Sequence, residues 1–277
     1  MDKPLSDIPI VFQFINLVQN GFSALDAESQ VQVKQFLQNS QHENGGFVNR
    51  AGTPDLYYSL FGVLIAAAIG LDDVLEKHRQ FVLKNETAKD KLVDEFALLL
   101  IRAVLFQNEF RKPPVLKLLR KAFLKGNKTS VHYRIFLFLL TFDVFYSNRI
   151  LHFWGRIVLP FFLPPSVSPG SVYAAVIVAR QKAGLKTKNE VEKMMDYFEN
   201  EKGFKAFKEL TEADLLSTAV ASFALKTANS DLRLVRPACL KLIEQNYSNG
   251  AFLAGNGDKM RDLEYTFYGL LALGVLI

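Results

Sequence analysis

Apolar residues recur along this chain at spacings of three and four rather than two. Ile10, Phe14, Leu17 and Val18 share one helical face, and Val33, Phe36 and Leu37 share another. The pattern predicts a succession of helices with short polar or Gly/Pro breaks. These fall at Lys84-Asn85-Glu86, Arg111-Lys112-Pro113-Pro114, Gly126-Asn127-Lys128, Ser147-Asn148, Pro164-Pro165 and Gly184-Leu185-Lys186. No segment reads convincingly as a strand. The helices alternate in character. Residues 56–70, 131–146, 171–179, 215–225 and 263–276 are apolar nearly all round, whereas 28–41, 115–125, 188–200 and 231–246 are amphipathic with charged faces. A helix buried on every side belongs inside a fold, and an amphipathic one belongs outside.

One phrase is repeated. Asn44-Gly45-Gly46-Phe47 leads to Asp55-Leu56-Tyr57-Tyr58-Ser59. Lys202-Gly203-Phe204 leads to Asp214-Leu215-Leu216-Ser217-Thr218, and Asn249-Gly250-Ala251-Phe252 leads to Asp262-Leu263-Glu264-Tyr265-Thr266. Phe204 and Phe252 lie 48 residues apart, and Phe47 and Phe204 lie 157 apart, close to three periods of about 52. A fixed period of this length marks a repeat architecture. The intervening chain should hold degenerate copies. About six hairpins of one inner and one outer helix would close an all-α, single-domain α/α toroid over residues 1–277; an open solenoid of helix pairs is the alternative. Thr53-Pro54-Asp55 reads as N-cap, proline at the first helical position and acid in the first turn. Thr211-Glu212-Ala213-Asp214 reads as a capping box with Asp for Glu.

The unit Gly-Gly-Phe, about ten residues, then Asp-x-x-Tyr-Thr-x-Tyr-Gly-Leu resembles the repeat shared by protein prenyltransferase β subunits and squalene/terpene cyclases. Residues 249–276 match it best, then 44–70, then 202–228. The resemblance implies a toroid with a central apolar cavity that handles an isoprenoid or similar lipid. It also implies zinc ligands, an Asp-x-Cys pair and a later His, in the prenyltransferases. Here Leu216 stands at the Cys position and Tyr265 at the His position. The cyclases' Asp-x-Asp-Asp acid does not occur. Asp72-Asp73-Val74-Leu75-Glu76 only superficially resembles a magnesium clamp and reads as first-turn acids favoured by the helix dipole.

Composition narrows the picture further. The chain has 277 residues, 49% of them hydrophobic, with 24 Phe, one Cys and a net charge of +5. One Cys excludes a disulfide framework and a cysteine-based zinc cluster. The charge is too mild to imply nucleic acid. No apolar run is long enough to span a bilayer; the nearest, Phe153 to Pro165, is broken by Arg156 and prolines. The start Met1-Asp2-Lys3-Pro4-Leu5 lacks the order of a signal peptide, so the expected location is the cytoplasm.

The candidate chemistry lies at the helix starts. Asp55, Asp214 and Asp262 recur at one repeat position, where a carboxylate caps free backbone N–H groups; a catalytic acid is not needed three times. Three residues further on stand Tyr58, Tyr265 and, in the middle copy, Ser217. If Ser130 and Gly170 open the corresponding middle helices, Tyr133 and Tyr173 join them. These tyrosines would converge on one rim of a cavity, or serve as packing. His132 begins an inner helix. Lys259 and Arg261, with Arg134, Arg180, Lys205 and Lys208, lie near helix ends or loops where an anionic head could bind. Arg120, flanked by Lys117, Lys121, Lys125 and Lys128, makes a basic stripe that reads as a solvated face. Cys239 reads as a structural thiol in an outer helix. No metal or cofactor is expected. Two functions remain open: an isoprenoid- or acyl-chain-handling protein with a Tyr-lined cavity, and a non-catalytic scaffold that binds a protein partner.

Overall fold

The computed structural model describes residues 8–84, 92–106, 112–116, 118, 120, 131–146, 153, 155–157, 159–161, 164, 167–255 and 257–277; for 131–136 and 161 it describes the backbone alone. The described chain is mostly helical. It runs α1 (Ile10–Ser23), α2 (Ala27–Asn39), α3 (Leu56–Ile69), α4 (Asp72–Lys84), α5 (Leu92–Phe106), α6 (Val131–Phe145), a 3-10 turn (Leu159–Phe161), α7 (Gly170–Lys182) and α8 (Lys188–Met195). A two-residue hairpin follows, β1 (Phe198–Glu199) with β2 (Gly203–Phe204). After α9 (Leu215–Thr227) and α10 (Arg236–Gln245) comes a second hairpin, β3 (Tyr247–Ser248) with β4 (Ala251–Phe252), and then α11 (Leu263–Leu276). Both hairpins are antiparallel, pairing Phe198 with Phe204 and Tyr247 with Phe252. They correct the reading that the chain has no strands. Two residues are too few to show a period of two, and the turn residues that mark them were absorbed into the repeat motif.

The chain divides into two compact units, one of Met1–Asn16 with Gln35–Ser147 and one of Leu17–Lys34 with Asn148–Ile277. In the first unit α3 packs on α4 and α5, and α5 packs on α6. Leu92 and Phe96 of α5 meet Leu118 and Leu137 in a buried cluster, against which Phe138 and Tyr146 lean. The Tyr146 hydroxyl donates to the Pro113 carbonyl. The Asp143 carboxylate of α6 accepts the Ile10 N–H at 2.6 Å, so a residue 133 positions away satisfies the start of α1. In the second unit α9 lies between α7 and α11, with α8 on α7 and α10 on α11. The sequence pattern explains this layering. α3, α7, α9 and α11 are apolar on nearly all sides and bury most of their length, whereas α4, α8 and α10 bury one stripe each.

The second unit contains a contact between distant parts of the chain. A Cβ at Gly274 of α11 would lie 1.8 Å from the Leu17 carbonyl oxygen of α1, and a Cβ at Gly21 would lie 2.0 Å from that of Leu270. The two helices therefore cross backbone to backbone, which only glycine permits. Beside them Gly250, at φ +82°, leaves room for the Gln32 carbonyl of α2 at 2.2 Å from where its Cβ would stand. The Tyr247 hydroxyl donates to the Gln32 side-chain oxygen at 3.0 Å. Gly45 stands to the Lys77 carbonyl of α4 as Gly250 stands to that of Gln32, with a Cβ distance of 2.3 Å. The last copy thus docks on α2 as the first copy docks on α4.

Gly274→Ala should destabilise the fold by about 3 kcal/mol or more, the upper range for overpacking, because both neighbours are backbone and cannot swing aside. A denaturant melt that moves by less than about 1 kcal/mol would show that the crossing yields.

Candidate functional site

The three copies build the same local device. Phe47, Phe204 and Phe252 are fully buried, and each backbone N–H donates to a hydroxyl in the first turn of the next apolar helix. The pairs are Phe47 to Ser59 Oγ at 3.2 Å, Phe204 to Thr218 Oγ1 at 3.0 Å and Phe252 to Thr266 Oγ1 at 3.3 Å. The Phe47 and Phe204 carbonyls accept from Asp55 N at 2.9 Å and Asp214 N at 3.1 Å, and Phe252 bridges Asp262. The Phe47 ring lies on Gly62 and the Phe252 ring on Gly269, where a Cβ would come within 2.6 and 2.3 Å. The middle copy has Ala221 at the matching place. In the first and last copies glycine supplies the flat floor on which the ring lies.

Asp55, Asp214 and Asp262 are the N-caps themselves. Asp55 accepts from the backbone N–H groups of Tyr57 at 2.9 Å and Tyr58 at 3.1 Å, Asp214 from Ser217 at 2.8 Å and Asp262 from Tyr265 at 2.8 Å. Thr53 and Thr211 do not cap these helices; Thr53 instead bonds Asn49 in the preceding loop. Asp supplies a longer reach at the residue where the backbone is already extended. Burial raises the Asp214 carboxyl pKa, and the Ser217 N–H and hydroxyl oppose that shift.

Tyr58 and Tyr265 occupy the third position of their helices and are half-buried. Tyr57 meets Tyr58 edge-on at 5.7 Å and Phe61 at 5.0 Å. Tyr173 departs from the alignment. Pro169 is the N-cap of α7, so Tyr173 stands at the fourth position, level with Ser59, Thr218 and Thr266. It is buried, 5.7 Å from the ring of Tyr197, whose hydroxyl donates to the Ser168 carbonyl at 2.6 Å. Burial pushes the Tyr197 pKa up to about 12. His132, Tyr133 and Arg134 belong to α6, but their side chains lie outside the described residues, as do Lys117, Lys121, Lys125 and Lys128. Lys259 and Arg261 are exposed, and Arg261 donates to the Asn249 carbonyl at 3.2 Å. Lys208 reaches Asp196 at 2.6 Å and lies over the Tyr197 ring at 5.3 Å, Lys205 reaches Glu199 at 3.3 Å, and Arg180 reaches Glu190 at 3.6 Å. These three cations are spent on neighbouring groups.

Compared with protein-family models, curated proteins and solved structures, the chain finds no match.

Among the described residues no three His, Cys, Asp or Glu side chains gather as a metal site. Cys239 of α10 is fully buried, and burial pushes its thiol up to about 12. A thiol held protonated is neither nucleophile nor ligand.

Two features escaped the sequence reading. An open depression of about 390 Å³ lies where α1, α9 and α11 end, lined by Asn20, Ser23, Ala24, Lys226, Gly274 and Ile277. Lys226 Nζ donates to the Val275 carbonyl at 3.0 Å, as suits a cation at a helix C-terminus, and burial beside Arg236 lowers its pKa. His78 is the other. It lies on α4, fully buried between the rings of Phe47 and Phe81, each 5.4 Å away. Its Nδ1 lies 2.8 Å from the Gly45 carbonyl, and its Nε2 has no partner. The stripe Val74, His78, Phe81 and Val82 carried the signal. Burial lowers the imidazole pKa from 6.5 to about 4, with the Gly45 bond opposing.

Asp262→Ala should cost about 1 kcal/mol in a denaturant melt, the usual size of a lost cap; loss of an activity without loss of stability would make Asp262 a catalytic group instead. His78 gives a pH dependence. The unfolded imidazole takes its proton near 6.5 and the folded one only near 4, so the unfolded state binds more protons in between. Stability present above pH 6.5 is therefore lost as pH falls towards 4, by on the order of 3 kcal/mol. His78→Gln should remove that component of the pH profile; superimposable profiles would show that the imidazole titrates freely.

Proposed function

We propose that this chain is a non-catalytic binding scaffold of the α/α-toroid class. The observation that carries this reading is the use of its repeated polar groups. Three aspartates at one repeat position each close a helix N-terminus, and the hydroxyls beside them each hold a phenylalanine backbone. Groups committed in this way serve the fold at every copy, as structural caps do. The sole thiol is buried and protonated. The repeat part of this reading is supported within the second unit, where α1 and α2 pack on the last copy.

A second reading rests on Tyr58 and Tyr265. They share one repeat position, sit on apolar helices and remain half-exposed, as tyrosines at a ligand-binding rim would. On that reading the occupant is an isoprenoid or acyl chain. Lipid extraction and mass spectrometry of the purified protein separates the two. The scaffold reading expects no stoichiometric lipid. A single prenyl or acyl species at one per chain, lost on Tyr265→Ala, would replace it with the lipid-handling reading.

The state of Cys239 is checked independently. At pH 8 an aromatic disulfide reagent should leave the native thiol unmodified and react once denaturant is added. Rapid reaction of the folded chain would reinstate the thiol as a chemical group.

A further inference from the structure

Exposed apolar and basic side chains come together in the second unit around the loop after α7. The residues at 153 and 155–157 are helical. Gly155 lies against the protein, where its Cβ would meet the Ala183 Cβ at 2.8 Å, and Leu159 of the following 3-10 turn is buried. Phe153 and Ile157, four residues apart in sequence, are 61% and 48% exposed. Arg156 is exposed between them and donates from Nε to the Ala183 carbonyl at 3.2 Å. That bond ties the turn to the Ala183–Lys188 loop, where Lys186 and Lys188 are exposed, Lys188 by 86% of its side chain. Among the described residues of these two segments the acidic groups are Glu190, which is buried against Arg180, and Glu192, 3.9 Å from Lys188. The exposed charge is therefore mainly positive.

We propose that this face docks on the surface of an anionic lipid bilayer. Two bulky apolar side chains flanked by cations are complementary to such a surface, where apolar groups enter the headgroup boundary and lysines meet phosphate and carboxylate. A bare apolar patch would suit a protein partner equally well; the flanking cations select the membrane. Among the described residues no helix is long and apolar enough to cross a bilayer, so the contact is peripheral. Neither of the two signals anchors a protein alone, and binding should require both.

The test is flotation of the full chain with vesicles of phosphatidylcholine alone or with about one third phosphatidylserine. The native chain should float with the anionic vesicles and stay behind with the neutral ones. Phe153→Ser/Ile157→Ser should lower the bound fraction about tenfold, and Lys186→Glu/Lys188→Glu should do the same and abolish its salt sensitivity. Val31→Ser, at a residue 53% exposed on α2, should change nothing. All three variants alter exposed side chains, so their melting curves should coincide with that of the native chain. The proposal fails if the native chain does not float with anionic vesicles, if either double variant binds as well as native, or if Val31→Ser weakens binding equally. Dimerisation lost on Ile157→Ser, without flotation, would give the face to a second copy of the chain instead.

Discussion

The bond from a buried phenylalanine N–H to a hydroxyl one helix turn beyond an aspartate holds each clear copy together. The Phe must turn its backbone into the protein to bury its ring, and a buried N–H without a partner is costly. Ser59, Thr218 and Thr266 supply that partner from the helix the ring packs against. The same turn of helix needs acceptors for its own free N–H groups, and Asp55, Asp214 and Asp262 supply those. One short motif therefore satisfies the hairpin and the helix start together. The apolar helices can then be buried without orphaned polar groups at their ends.

This device also constrains the functional reading. In a repeat protein a side chain at an equivalent position is first a part of the repeat, and only what differs between copies is free to specialise. The third helical position is Tyr, Ser and Tyr in the three copies, while the aspartate and the adjacent hydroxyl do not vary in kind. Val33, next to Gln32, stands where His78 stands next to Lys77, so the buried imidazole is a feature of the first copy that the packing does not demand.

Much of this was legible in the residues. The alternation of all-apolar and amphipathic helices, the three aspartate caps and the structural thiol follow from periodicity and composition. Tyr173 was placed one position early because a helix start at Gly170 was aligned with an aspartate cap, whereas the cap is Pro169. The hairpins were missed because they are two residues long. The crossing of Gly21 with Gly274 could not have been read, since neither glycine breaks its helix and nothing in a single sequence links positions so far apart. Phe153 and Ile157 were seen as part of an apolar run, yet both are exposed while Gly155 lies against Ala183.

The backbone contact between Leu17 and Gly274 has a kinetic side. Linear repeat arrays fold quickly because each copy needs only its sequence neighbour, and they fray from either end for the same reason. Here α1 and α11 are held by one another across more than two hundred residues. Closing such a loop is entropically late, so this contact should form after the local hairpins have assembled and should set the slowest folding phase. Once formed, it ties α1 to α11, so that neither helix can leave the second unit without breaking its contact with the other.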